Sequence, residues 1–250
     1  MNRRAFLGAV GSVASLGTLA YATREPIDTL EITVWLSTQA GRYDGVTQRI
    51  REYVTRCFDF EFWSLEVSIG GAVSVGTEDG ARVTSRGEWP LRVLSGAAGL
   101  GGLEPARHVN LLVTDGQMAV APTGYGLPRI ASVGGARHLA DLEPFDELLE
   151  SGPDSDVKWA VPTTTRARTM QVLLHEVGHA LGLDHEHGNV IREDGLVIAT
   201  PMLSTYAFSA DYVGEHSHCG QEYVDPGDDA RALSLAFSAC ARRALAEHAG

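Results

Sequence analysis

Apolar and polar positions alternate along Leu30-Glu31-Ile32-Thr33-Val34-Trp35-Leu36, and the stretch is rich in β-branched residues, so a strand is expected there. The period then changes. Val46, Ile50, Tyr53, Val54 and Cys57 recur at helical spacing, which predicts an amphipathic helix over about 44–58. Phe60 to Ile69 reads as a second strand, and His108 to Thr114 as a third, apolar enough to be buried. The Gly-rich stretch between them, about 70–106, carries no clear period. Tyr125 to Val133 reads as a further short strand, pushed to a sheet edge by Pro128. Strand, helix, strand, strand predicts an α+β fold: a mixed, twisted sheet with helices packed on it.

Later in the chain the signals are turns and caps. Residues 143–164 are turn-rich around Ser151-Gly152-Pro153-Asp154-Ser155-Asp156 and read as a surface loop. Asp225-Pro226, with Asp228 and Asp229 behind them, has the cap, proline and first-turn acids of a helix start, so a last helix is expected to run to about Glu247. The acidic loops at Glu78-Asp79 and around Asp154 offer the oxygen ligands that calcium takes. Solvation accounts for them as well, so no calcium is called for.

The stretch with most chemistry is His175-Glu176-Val177-Gly178-His179-Ala180-Leu181-Gly182-Leu183-Asp184-His185. Histidines at i and i+4 lie within roughly 40° of each other around a helix, so both imidazoles can reach one ion. Met170, Leu173, Leu174, Val177 and Leu181 form an apolar stripe on the opposite side, which packs the helix while the histidines face a cleft. Gly182 tolerates the left-handed backbone needed to turn the chain back, and His185 then supplies a third nitrogen. Three neutral imidazoles suit zinc, and three protein ligands leave a position open for water, as in catalytic rather than structural sites. Glu176, next to the first ligand, is placed to act as general base.

These eleven residues resemble the extended zinc motif of the metzincin metalloproteases, and the nearest likeness is to small matrixin-like members. The resemblance implies a secreted zinc endopeptidase with one catalytic ion. It implies one catalytic domain over 23–250: a larger sheet lobe (about 28–183) carrying the active-site helix, and a smaller, helical C-terminal lobe (about 184–250). Substrate is implied to lie extended along the edge strand, here about 125–133. The family's methionine turn beneath the metal corresponds to Met202, in Thr200-Pro201-Met202-Leu203-Ser204-Thr205-Tyr206. Some relatives carry a tyrosine two residues after that methionine. Here Ser204 stands at that position, and Tyr206 is the candidate oxyanion or substrate helper.

His216, His218 and Cys219 read as part of a polar loop lining the substrate pocket rather than as a second metal site. Asp184 is expected beside the ligands without being one, and His187 does not fit the motif's spacing. The rival function is a binding or adhesion module that keeps the fold and the zinc but has lost the chemistry; such a module has no need of Glu176.

Charge and composition narrow the partners. The net charge of −12 argues against a nucleic-acid backbone or an anionic membrane surface, leaving a protein or peptide substrate and a monomeric enzyme as the expectation. Lys158 is the single lysine among 20 basic residues, a composition shared by proteins kept soluble in salt and by chains with GC-rich codons. Arg3-Arg4-Ala5-Phe6-Leu7, an apolar run to Ala20 and the small-x-small site Ala20-Tyr21-Ala22 read as a twin-arginine export signal over 1–22. Cleavage releases the protein outside the cell; without cleavage, the same run would be an anchor. Of the three cysteines, Cys57, Cys219 and Cys240, an oxidising compartment allows one disulfide whose pairing the sequence leaves open.

Overall fold

The computed structural model describes residues 27–116, 124–204, 208, 219 and 227–249. The signal segment 1–22, Tyr206, His216 and His218 lie outside the described residues.

The described elements are, in order, β1 (Thr29–Ser37), α1 (Val46–Phe58), β2 (Ser64–Val73), α2 (Gly80–Ser85), α3 (Glu88–Ala97), β3 (Val109–Val113), β4 (Gly124–Leu127), β5 (Ile130–Val133), α4 (Ala136–Ala140), α5 (Phe145–Glu150), β6 (Ala160–Pro162), α6 (Thr165–Ala180), β7 (Val190–Glu193), β8 (Leu196–Ala199), β9 (Ala230–Ser234) and α7 (Ala239–Ala246). They form the expected α+β fold around two mixed sheets. The first has the order β2-β1-β3-β5-β4, parallel except for β4, which lies antiparallel at the edge. The second has the order β6-β9-β8-β7.

Both faces of the first sheet are covered, which is why every residue of β3 is buried. Ile32, Val34, Leu111, Val113, Ala131 and Val133 join one core with Ile50, Tyr53 and Val54 of α1 and Met170, Leu173, Leu174 and Val177 of α6. Trp35, Leu112 and Ile130 point the other way, into a smaller core with Val83, Trp89 and Val93. The period-two alternation of a strand distributes its side chains between these two cores. The Gly-rich stretch of unclear period therefore contains α2 and α3. Asp79 caps the first by accepting from the Arg82 N–H at 3.0 Å. Gly87, at φ 84°, turns the chain into the second. Trp89 is fully buried and donates from Nε1 to the Asn110 carbonyl at 3.2 Å.

Several expectations need correction. The second strand starts at Ser64 rather than Phe60, because Phe60, Phe62 and Trp63 pack on one another in a turn beside Phe58 and Phe237. Residues 125–133 form a hairpin of β4 and β5, not one strand; Pro128 and Arg129, at φ 67°, make the turn, and only β4 is the edge. The turn-rich segment 143–164 holds α5 and β6.

The C-terminal part carries a sheet as well as a helix. The expected helix start at Asp225-Pro226 lies outside the described residues, and the run from there on to Glu247 is not one helix. Ala230–Ser234 is a strand, and α7 begins later, where Ser238 caps it by accepting from the Ala241 N–H at 3.1 Å. β9 sits between β6 and β8, so both rows of its backbone groups find partners, and this overrides the helix preference of its alanines.

Gln171 couples α6 to that sheet. Its amide nitrogen donates to the carbonyls of Ala199 (2.8 Å) and Ser234 (2.9 Å), and the side chain is fully buried. Gln171→Leu removes both donors at nearly constant volume, and unfolding in urea is expected to show a loss of about 1–3 kcal/mol. Unchanged stability would mean that the two carbonyls are satisfied without it. Among the described residues no helix is long and apolar enough to cross a membrane.

Candidate metal centre

α6 starts on a capped turn, with Thr164 accepting from the Ala167 N–H at 3.1 Å, and runs buried beneath the first sheet. It stops in a Schellman turn. The Leu183 N–H reaches back to the Gly178 carbonyl (2.9 Å) and the Gly182 N–H to that of His179 (3.0 Å), with Gly182 at φ 98°. That reversal brings His185, on a short 3-10 turn over His185–His187, next to the two helix histidines. Asp184 and His187 cap this turn reciprocally, the Asp184 N–H donating to His187 Nδ1 at 2.9 Å. His187 is thereby a cap, and Asp184 holds the turn that presents the ligand.

The ligand atoms of His175, His179 and His185 all lie within 4.8 Å of one another. His179 Nε2 is 3.0 Å from His175 Nε2 and 3.2 Å from His185 Nε2. The other ring nitrogens fix the tautomers. His175 Nδ1 is 2.8 Å from the Pro201 carbonyl and His179 Nδ1 is 2.7 Å from the Leu183 carbonyl. A carbonyl only accepts, so each Nδ1 carries the proton and each Nε2 presents a lone pair. Lone pairs so close repel unless a cation lies between them. A proton is a poor candidate: burial, and then the neighbouring histidines, push the His175 pKa down to about 3, and burial also lowers that of His179. A metal ion fits. Two nitrogens on a tetrahedral ion at roughly 2.0–2.1 Å stand about 3.3 Å apart, close to the separations here. Carbonyls behind the ligating imidazoles are the usual means of fixing ring orientation at such centres.

Pro201 and Met202 belong to the turn beneath the ligands. The Leu203 and Ser204 N–H groups bond to the Thr200 carbonyl at 3.1 and 2.9 Å, and Ser204 has φ 51°. Met202 is buried against α6 at Gly178, where a Cβ would come within 2.4 Å of its sulfur. The turn therefore does two things: its sulfur supports the helix, and its Pro201 carbonyl orients His175.

Glu176 is 4% exposed, and burial raises its pKa to about 8. Two glycines make room for it. On β4, a Cβ at Gly124 would come 2.6 Å from Glu176 Oε1. One at Gly126 would come 2.5 Å from His179 Cβ and 2.7 Å from the Glu176 carbonyl. The edge strand thus rests on α6 at Glu176 and at His179. Reading the sequence did not single out these glycines. The available signal was Gly-Tyr-Gly, which puts two residues without side chains on the same face of a strand.

Among solved structures, the chain is similar to archaemetzincin from Methanopyrus kandleri. The two share 18% sequence identity at a TM-score of 0.41, over 87% of this chain and 95% of that one. No family model matches the chain, and no curated protein matches it.

Proposed function

We propose that the protein is a zinc-dependent endopeptidase of the metzincin type, exported and released outside the cell, with His175, His179 and His185 holding the ion and Glu176 as general base. The observation that carries this reading is the convergence of three imidazole lone pairs beside one buried carboxyl group on a helix that also supports β4, the edge strand of the first sheet among the described residues. A zinc ion bound there supplies Lewis acidity toward a carbonyl oxygen and makes water a nucleophile near neutral pH.

The chain's own residues do the rest. The outer edge of β4, unpaired among the described residues, accepts an extended peptide by backbone pairing, and Gly124 and Gly126 let that strand come down onto α6. This lays the scissile bond next to Glu176. Its carboxylate takes a proton from the attacking water and returns it to the departing amine nitrogen. The carbonyls of Pro201 and Leu183 keep His175 and His179 in the ligating tautomer throughout. Met202 and its turn keep α6 in place. Tyr206 remains the candidate for helping the oxyanion. The disulfide Cys219–Cys240 fits an oxidising compartment, in keeping with an exported, monomeric enzyme.

The test is cleavage of a mixture of unstructured proteins by the chain from residue 23 onward, at low and high salt, with and without a zinc chelator. Cleavage is expected, its loss on chelation, and its return when zinc is restored. A folded protein that binds zinc and cuts nothing at any salt concentration would favour the binding module instead.

A further inference from the structure

His179 is held by the helix and His175 by the helix and the Pro201 turn, but His185 lies on a three-residue turn whose leading residues, Asp184 to Glu186, are exposed. So short a turn has no core of its own to keep it in place. What surrounds it is the Cys219–Cys240 disulfide, which spans a Cα–Cα distance of 5.6 Å and joins α7 to the chain beside the turn. The Cys219 N–H donates to the Glu186 carbonyl at 3.1 Å, and Ser238, the cap of α7, donates its hydroxyl to the His187 carbonyl. Cys219 takes φ 52°, a left-handed conformation uncommon for a residue with a Cβ. On the other side, Gly188 packs so closely on Met202 and Leu203 that a Cβ would lie 2.8 Å from the Leu203 nitrogen. The turn is pressed between the methionine turn and the disulfide.

We infer that the Cys219–Cys240 disulfide is a positioning element for the third metal ligand, so that affinity for the ion depends on its redox state. The inference rests on the reading of the three histidines as a zinc site. With the disulfide intact, Glu186 and His187 are tied through their carbonyls to groups anchored on α7, and His185 Nε2 stays beside that of His179. A water-soluble trialkylphosphine opens the bond: the two sulfurs are reduced to thiols, the phosphorus is oxidised to a phosphine oxide, and water supplies the oxygen and both protons. Cys219 then loses its tie to α7, and the Glu186 carbonyl loses its anchored donor, which loosens the leading end of the turn that carries His185. Cys57 takes no part, because it is 2% exposed and burial pushes its thiol pKa up, which leaves it inert.

The measurement is zinc affinity by competition with a chromophoric chelator, with zinc itself as the probe. It is made on the oxidised protein, on protein reduced by phosphine that is then removed, and on Cys219→Ser/Cys240→Ser, which has no new thiols to bind zinc. Far-UV circular dichroism reports whether the fold persists. Outer partners of metal ligands typically contribute 10–100-fold to affinity, so the double variant is expected to bind zinc about 10–100-fold more weakly with its spectrum unchanged. In a His185→Ala background the same double substitution is expected to change affinity little, because the ligand it positions is gone. Equal affinity in the oxidised protein and the double variant would overturn the inference, as would an equal loss with and without His185. If the double variant does not fold, the comparison of oxidised and reduced protein decides, with unchanged affinity counting against the inference. Failure of the oxidised wild type to bind zinc at all would overturn the metal site itself, and this inference with it. Proteolysis enters none of these readouts.

Discussion

Glu176→Gln is expected to retain one zinc ion and to lose turnover by about 10²–10⁴-fold, the range that a positioned general base contributes. The substitution preserves volume in a position that is 4% exposed, so it neither opens nor crowds the contact with β4. It also removes the cost of burying a carboxylate, the same cost that raises the pKa of Glu176. The melting temperature should therefore stay level or rise while kcat collapses. That combination separates a catalytic role from a structural one. Turnover close to wild type would remove Glu176 from the reaction, and loss of zinc would make it part of the ligand scaffold.

The two glycines of β4 are expected to fail in different ways. At Gly126 an added methyl meets the Glu176 carbonyl and the His179 Cβ, both fixed by the helix, so the strand itself must move. Overpacking of this kind typically costs about 1–3 kcal/mol. Gly126→Ala should lower stability by about that much and, on the proposed ligand role of His179, weaken zinc binding together with activity. At Gly124 the added methyl meets Glu176 Cγ and Oε1, side-chain atoms that a change of rotamer can move. Gly124→Ala should keep its zinc and most of its stability but lose kcat, and it should add little to the loss already caused by Glu176→Gln. Denaturant unfolding, zinc content and kcat, measured for both variants, check the contrast. Identical behaviour of the two would show that β4 does not rest on the helix as described.

The metal centre was legible because its chemistry constrains neighbouring residues. Two imidazoles one helical turn apart, a glycine to reverse the chain and a third imidazole are all local, and the helix around them shows its own apolar stripe. β1 and α1 were legible for a similar reason, each having a period long enough to declare itself, and β3 showed as a short, largely apolar run. What was missed depends on distant partners. Ala230–Ser234 is a strand only because β6 and β8 flank it, and Ala160–Pro162 is too short to show a period. The hairpin at 124–133 lacks an Asn-Gly or Asp-Gly turn, and Arg129 takes the left-handed conformation instead. The carbonyls of Pro201 and Leu183 were invisible because every residue has a carbonyl, and only the fold decides which ones meet an imidazole.

The bond from Gln171 to Ser234 spans 63 residues, from the helix that carries the first two histidines to the strand inserted at the centre of the second sheet. A nascent chain that has emerged only as far as His185 thus already contains every metal ligand, yet its α6 has nothing to dock against on that side. Full docking of α6 on the second sheet therefore waits until β9 has been synthesised and has paired between β6 and β8.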